Sequence, residues 1–321
     1  MDNEKKLAVL GAGTMGAGIA AQFALYGHRV SLYSRSQSTL DRARKTIEKS
    51  YELQVLTNML SPLESELSLN RISYTTDLTV AVDGAWYVVE TIVERVSDKT
   101  ELYQTLDSLL DLDVILSSNT SFLNVFELIP ARRQTHTLIA HWYAPAHILP
   151  LVEIVKGPDT HADVVERILE FHRSCGKTPV LMERYVPGFI VNRLQSAMTR
   201  EVLFLLDNGY CSPEDLDLAV KTSLMPRGLA LGVVQRMDFN GLDMVANGLY
   251  NGTYQPAPAP SPDNRVFRCA EAGNLGVKSG TGFYSYSTRP YEETLKLRDA
   301  QLVKSVELAR EFIEHPLHDL S

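Results

Sequence analysis

An α/β fold, with an N-terminal doubly wound sheet and a C-terminal all-helical domain, follows from three observations. Short apolar runs alternate with helical stretches over the first half of the chain. A glycine-rich turn joins the first of those runs to a helix. The texture then becomes helical after Val186-Pro187-Gly188. Alternating strands and helices build a parallel sheet, because each helix returns the chain to the end of the sheet where the next strand starts.

Residues 7–11 (LAVLG) read as a buried strand, 14–26 as a helix closed by Gly27-His28, and 29–33 (RVSLY) as a second strand. Together they make one βαβ unit. Residues 38–60 read as a long charged helix, and Ser61-Pro62 breaks it before a second helical piece. Further short strands fall at 72–74, 86–90, 114–117 and 137–141, with a helix at 97–110; strands at 151–155 and 179–181 finish the sheet. Beyond Gly188, helices are expected at 189–207, 213–221, 239–250 and 293–314, with QPAPAPSP at 255–262 as a surface loop. The predicted domains are therefore 1–186 and 187–321.

Composition agrees. A chain of 321 residues suits about two domains, and 45% hydrophobic with 22% charged residues is the balance of a globular protein with a real core. The formal charge of −8 argues against nucleic-acid and anionic-membrane partners, since either requires a basic face. Cys175, Cys211 and Cys269 are odd in number and share no C-x-x-C spacing. No disulfide framework and no metal site is expected, and a reducing, cytoplasmic setting fits. Residues 7–27 carry no charge, a pattern that imitates a signal peptide or membrane span. Gly11, Gly13, Gly16 and Gly18 disfavour one continuous helix there, so strand, turn and helix is the better reading.

Gly11-Ala12-Gly13-Thr14-Met15-Gly16 is a G-x-G-x-x-G pattern. Alone it is weak; between a strand and a helix of a βαβ unit it points to a dinucleotide. The first glycine makes the turn, the second admits a pyrophosphate, and the third lets helix and strand close together. Backbone N–H groups at the helix start would bind the phosphates. About 20 residues on, NAD sites place a carboxylate on the ribose 2′-hydroxyl. Here Tyr33-Ser34-Arg35-Ser36 stands instead. No carboxylate repels a 2′-phosphate, and Arg35 with Ser34 could hold one, so NADP is expected, with NAD as the alternative.

Ser118-Asn119-Thr120-Ser121 follows a strand, and His141 ends the next. A turn at the prolines brings Glu153 back on an antiparallel segment, where a carboxylate can orient an imidazole for acid–base work. A lone histidine at a strand end is more often structural, and spacing alone leaves both readings open.

These residues, together with GAGTMGAGIA at 11–20, SNTS at 118–121, PGFIVNR at 187–193, SPEDLD at 212–217 and KSGTGFYSY at 278–286, resemble the L-3-hydroxyacyl-CoA dehydrogenase family over nearly the whole chain. The resemblance implies a Rossmann domain, a helical domain that forms a homodimer, a cleft between them, and hydride transfer between a nicotinamide and the 3-hydroxyl or 3-oxo carbon of a small-molecule substrate. It also implies roles. His141 would be the general acid/base and Glu153 its partner, Ser121 and Asn192 would contact the substrate oxygen, and Glu94, Lys99 and Lys278 would lie near the nicotinamide, with Ser121. Two departures qualify it. Ala144 stands where the family has Asn before the proline, and residues 51–57 lack the positive charge that would hold a CoA phosphate. Asn192-Arg193-Leu194-Gln195 and Met225-Pro226-Arg227 look like the L-gulonate 3-dehydrogenase and carnitine dehydrogenase branch, in which Arg227 would bind a free carboxylate. Helix capping is the plain alternative for Arg227. The competing functions are an acyl-CoA dehydrogenase proper using NAD, and a cofactor-binding, non-catalytic protein of the lambda-crystallin kind.

Overall fold

The computed structural model describes residues 6–56, 60–252 and 255–317. The chain forms two compact units, Met1–Arg193 and Leu194–Ser321.

The first unit runs β1 (Lys6–Leu10), α1 (Thr14–Leu25), β2 (Val30–Tyr33), α2 (Gln37–Leu56), α3 (Pro62–Asn70), β3 (Ile72–Thr75), α4 (Leu78–Val82) and β4 (Ala85–Glu90). It continues with α5 (Val96–Leu109), β5 (Ile115–Ser118), β6 (Thr137–Trp142), β7 (Leu151–Lys156), α6 (Ala162–Ser174) and β8 (Thr178–Met182). The eight strands lie in the order β3-β2-β1-β4-β5-β6-β7-β8. Every neighbouring pair is parallel except β6 and β7, which run antiparallel with His141 opposite Glu153. From β1 the chain builds outward through β2 and β3, then crosses to β4 on the other side. The order reverses between β1 and β4, and the loops leaving their C-terminal ends open a crevice there.

Residues 7–10 of β1 are all apolar because both faces of the strand are covered there. Leu7 and Val9 join a cluster with Phe23, Ile47 and Tyr87, whereas Ala8 and Leu10 join one with Tyr103, Leu106 and Phe126. Each fully buried Leu or Val stabilises the fold by about 1.5–3 kcal/mol. The break at Ser61-Pro62 is a capping box: Ser61 Oγ accepts from the Glu64 amide, and the Glu64 carboxylate accepts from the Ser61 amide at 2.8 Å. The expected helix over 38–60 is α2, and its positions 57–59 lie outside the described residues.

The structure also has elements that the sequence patterns do not predict. α6 occupies the stretch between β7 and β8, and it buries Val164, Val165, Ile168, Phe171 and His172 along one face. α4 is a five-residue turn capped by Asp77, too short for a periodicity to register.

In the second unit, α7 (Val191–Asp207, begun in the first) is followed by α8 (Pro213–Ala219), a π-helical turn (Val220–Leu224), α9 (Met225–Asn240), α10 (Leu242–Tyr250), α11 (Arg265–Glu271) and α12 (Tyr291–Glu314). α9 is unexpected because Pro226, Gly228 and Gly232 all argue against a helix. Pro226 sits in the first turn, where its missing N–H costs nothing, and Gly232 takes φ +69° at a kink. The proline-rich loop has neither helix nor strand over 255–261, yet Ala257 is buried and its amide donates to Glu201 at 2.8 Å. Among the described residues, no helix is long and apolar enough to cross a membrane.

Candidate active site

The glycine turn lies at the C-terminal end of β1, beside the switch point. A Cβ on Gly11, which takes φ +110°, would stand 2.7 Å from the Thr91 carbonyl oxygen, and one on Gly16 would collide with the Gly11 carbonyl. These two glycines are packing requirements. At Gly13, by contrast, a Cβ would meet nothing within 4 Å. That open space belongs to a cavity of ≈ 460 Å³ lined by Gly11, Gly13, Tyr33, Ser34, Arg35 and Thr91, among others. No side chain caps α1 and no acidic residue occupies its first turn. Its leading amides, from Thr14 and Met15 onward, therefore keep the partial positive charge that suits a pyrophosphate. The residues present fit a dinucleotide. Arg35 is exposed and has no hydrogen-bond or ion-pair partner among the described residues, while the Ser34 hydroxyl accepts from the Ser36 amide at 3.4 Å.

A buried polar cluster stands behind the crevice. Glu90, ending β4, accepts Lys99 Nζ at 2.6 and 2.8 Å, the Tyr103 hydroxyl at 2.6 Å, the Ser118 hydroxyl at 2.6 Å and the Ile92 amide at 2.7 Å. Lys99 also pairs with Glu94 at 3.1 Å. The other oxygen of Glu94 accepts the Thr120 hydroxyl at 2.5 Å and the Ser121 amide at 2.6 Å. Lys99 is thus buried, with its charge on the two carboxylates, and through Glu94 it orients the loop carrying Ser121. Glu90 and Tyr103 were legible only as a carboxylate ending an apolar strand and an aromatic on a helix. Burial and the Glu90 charge push the Tyr103 hydroxyl well above its usual value, so it stays a donor.

The antiparallel β6–β7 pair sets His141 Nδ1 2.9 Å from Glu153 Oε2, with both residues buried. Glu153 Oε2 also accepts the Tyr143 hydroxyl at 2.7 Å, and Oε1 accepts the Ile190 and Val191 amides at 3.0 Å each, at the start of α7. Burial pulls the Glu153 carboxyl upward, but these four hydrogen bonds outweigh it and hold the group below its ordinary value. An ionised carboxylate accepts only, so Nδ1 carries the proton that it donates to Glu153. Nε2 has no hydrogen-bond partner among the described residues and is the basic atom left over. Asn119 Oδ1 accepts the Trp142 amide at 2.8 Å, tying the 118–121 loop to the His141 strand. Asn192 lies in the first turn of α7, with its backbone beside the Tyr143 hydroxyl. His141 and Glu153 are bonded directly, Asn192 reaches them through its backbone at Tyr143, and Ser121 belongs to the loop that Asn119 ties to the His141 strand. Tyr143 had one sequence signal: two residues beyond His141, it shares that residue's side of the extended chain.

Ala144 is exposed, and the two remaining candidates lie in the second unit. Arg227 is exposed in the first turn of α9, its Nε donating to the Ser223 carbonyl at 3.1 Å. Lys278 is exposed in a 3₁₀ turn, Val277–Ser279, and lines a cavity with Asp217 and Tyr284. Among the described residues, no cluster of three or more His, Cys, Asp or Glu side chains could hold a metal ion.

A doubly wound sheet with an uncapped glycine turn at its switch point, and a buried His–Glu pair in the same unit, defines a dinucleotide-binding protein. The chain matches the models of the 3-hydroxyacyl-CoA dehydrogenase NAD binding domain over residues 6–185 and of its C-terminal domain over residues 188–286. It is 30% identical to a 5-formyl-3-hydroxy-2-methylpyridine 4-carboxylate 5-dehydrogenase of Mesorhizobium japonicum, over 95% of this chain and 97% of that one. It is 33% identical to the mitochondrial hydroxyacyl-coenzyme A dehydrogenase of Homo sapiens, over 88% and 91%. A solved structure of a dehydrogenase of the first kind, described as an NAD+ dependent dismutase, superposes with a TM-score of 0.83 at 29% identity, covering 96% and 99%. The chain belongs to the 3-hydroxyacyl-CoA dehydrogenase family, and it is a nicotinamide-dependent oxidoreductase of the 3-hydroxy acid and 3-hydroxyacyl type.

Proposed function

We propose that this oxidoreductase acts at the 3-hydroxyl or 3-oxo carbon of a small, carboxylate-bearing 3-hydroxy acid, with His141 as the general acid/base. The observation that carries this reading is the His141 Nδ1–Glu153 Oε2 bond of 2.9 Å, which leaves Nε2 without a partner among the described residues. Glu153 fixes the ring and balances the charge on imidazolium. Nε2 takes the hydroxyl proton in oxidation and returns it in reduction. Ser121, held through its amide by Glu94, and Asn192 offer polar groups to the substrate oxygen. When bound, the nicotinamide supplies the acceptor or donor of the hydride. Gly11, Gly13, Thr14, Met15 and Gly16 would hold its pyrophosphate, and Glu94 would stand on its nicotinamide side; Lys99 is buried behind Glu94 and acts through that carboxylate instead of touching the cofactor.

A small acid is favoured over a CoA thioester because residues 51–56 of α2 carry no positive charge, while the guanidinium of Arg227 keeps its terminal nitrogens unbonded among the described residues. The Mesorhizobium relative, matched over 97% of its length, is likewise named for a small carboxylate. For the cofactor, Arg35 and Ser34 support NADP(H). NAD(H) is the second reading, carried by the description of the family's N-terminal domain. The domain limits 1–186 and 187–321 and a homodimer formed by the helical domain complete the proposal.

One panel tests it. Each dinucleotide is paired with a 3-oxoacyl-CoA and with the matching free 3-oxo acid, for the wild type and His141→Ala. We expect His141→Ala to lower kcat by roughly 10²–10⁴-fold with cofactor affinity retained. The free acid should be the better substrate and NADPH the better donor. Wild-type turnover in His141→Ala overturns the acid–base assignment. A CoA thioester preferred by about two orders of magnitude overturns the small-acid reading, and NADH favoured over NADPH overturns the cofactor reading.

A further inference from the structure

Glu153 has one more side-chain donor than an acid–base pair requires. Tyr143 Oη donates to the same oxygen, Oε2, that accepts His141 Nδ1, at 2.7 Å against 2.9 Å. Its ring also meets the imidazole, at 4.5 Å between centroids and an interplanar angle of 65°, and Phe189 flanks the imidazole at 5.1 Å. The ring of Tyr143 thus helps to fix the imidazole plane, and its hydroxyl competes with the imidazole for the charge of Oε2. Sharing that oxygen has a definite consequence. Each further donor on a carboxylate disperses its negative charge and weakens its hold on any one partner.

We propose that Tyr143 is a positioning residue of the His141–Glu153 pair, and that its hydroxyl sets the pH range over which His141 can accept a proton. The proposal rests on the reading of that pair given above. The groups facing the imidazole are Glu153 from β7 and Tyr143 from beyond the end of β6. The Phe189 ring packs on the imidazole from before α7; the Ile190 and Val191 amides at the start of α7 bond Glu153 Oε1, and the uncharged Asn119 of the 118–121 loop accepts the Trp142 amide. Burial and the Glu153 bond push the Tyr143 hydroxyl far above its ordinary value, so it remains a protonated donor across the working pH range. With the hydroxyl removed, Glu153 Oε2 concentrates its charge on the Nδ1 proton and stabilises imidazolium more strongly. His141 then gives up its proton only at higher pH.

The experiment is a set of pH profiles of kcat/KM in the oxidation direction for the wild type, Tyr143→Phe, Glu153→Gln and His141→Ala. It is paired with a substrate-free ¹⁵N-histidine NMR titration in which the His141→Ala spectrum identifies the His141 signal among the eight histidines. Tyr143→Phe keeps the ring and its packing. It should move the acidic limb and the NMR midpoint upward by about half to one pH unit, with KM changed by less than about twofold. Glu153→Gln should move both downward, because it removes the charge altogether. Opposite signs from two neighbours on one oxygen are the signature of charge sharing. Tyr143→Phe profiles that coincide with the wild type, while His141→Ala is inactive, overturn the role of Tyr143 and leave the pair intact. Wild-type activity in His141→Ala overturns the pair, and this inference with it.

Discussion

The two units treat their apolar residues in opposite ways. In the first, both faces of the sheet are covered, and two clusters of buried side chains enclose strands as continuous as LAVL of β1. Among the described residues of the second, only Leu203 and Ala257 are buried apolar residues, while Val234 is 68% exposed, Leu249 79% and Tyr250 91%. Charges follow the same division. The first unit buries Glu90, Lys99, His141 and Glu153 with partners for each, and the second leaves Arg227 and Lys278 at the surface. The first unit is therefore preorganised by its own packing. The second leaves large apolar side chains exposed, and the homodimer proposed above would cover some of them.

The sharpest way to break this contrast is to remove a buried charge from the first unit. Lys99→Met leaves Glu90 and Glu94 facing each other without their cation. We expect a loss of about 3–5 kcal/mol, the usual cost of stranding one side of a buried ion pair, read as a lower urea midpoint. An unfolding free energy within about 0.5 kcal/mol of the wild type would mean that water already reaches the cluster.

A somewhat smaller effect comes with acid. Burial among aromatic rings holds the His172 imidazole down at about 4, against 6.5 when free. Between those values the unfolded chain binds a proton that the folded chain refuses. The contribution is complete above about pH 6.5 and is lost as the pH falls toward 4. The difference of 2.5 units (6.5 − 4) corresponds to roughly 3 kcal/mol. His172→Phe should flatten the fall in stability between pH 7 and pH 4.5, and an unchanged slope would refute this. Glu153, whose carboxyl is also depressed, contributes in the same direction at lower pH, so the comparison is best made above pH 4.5.

The smallest expected change in folding stability lies in the second unit. Leu249→Glu should alter unfolding by less than about 0.5 kcal/mol, because the side chain is already exposed. It should nevertheless shift the proposed homodimer toward the 35.8 kDa monomer in light scattering at micromolar concentration. A wild type that is monomeric under those conditions would refute the homodimer, and the contrast between the units would need another cause.

Much of the first unit was legible because its strands are short apolar runs bounded by glycine, proline or polar residues, and that pattern survives without any tertiary information. α6 was missed even though Val164, Val165, Ile168 and Phe171 recur at helical spacing. Thirteen residues of that kind between two parallel strands form a crossover helix. α9 was hidden for a better reason. Pro226 and Gly232 break the local preference, and the helix accommodates them with a first-turn proline and a kink. At the site, His141 and Glu153 were recognisable in sequence, as was the glycine turn.

By itself, then, the sequence determined the βαβ opening, the twelve-residue return from His141 to Glu153, and the absence of a carboxylate after β2. Each is a local matter of residue type, period and spacing. Only the tertiary structure decided that Glu153 answers to four donors from β6, the following loop and the start of α7. It also decided that Lys99 is buried between two carboxylates rather than open to the crevice. Those arrangements join residues from 5 to 38 positions apart. No pattern along the chain encodes which donors will share one oxygen, because a hydrogen bond depends on where the packed sheet and helices bring atoms to within about 3 Å.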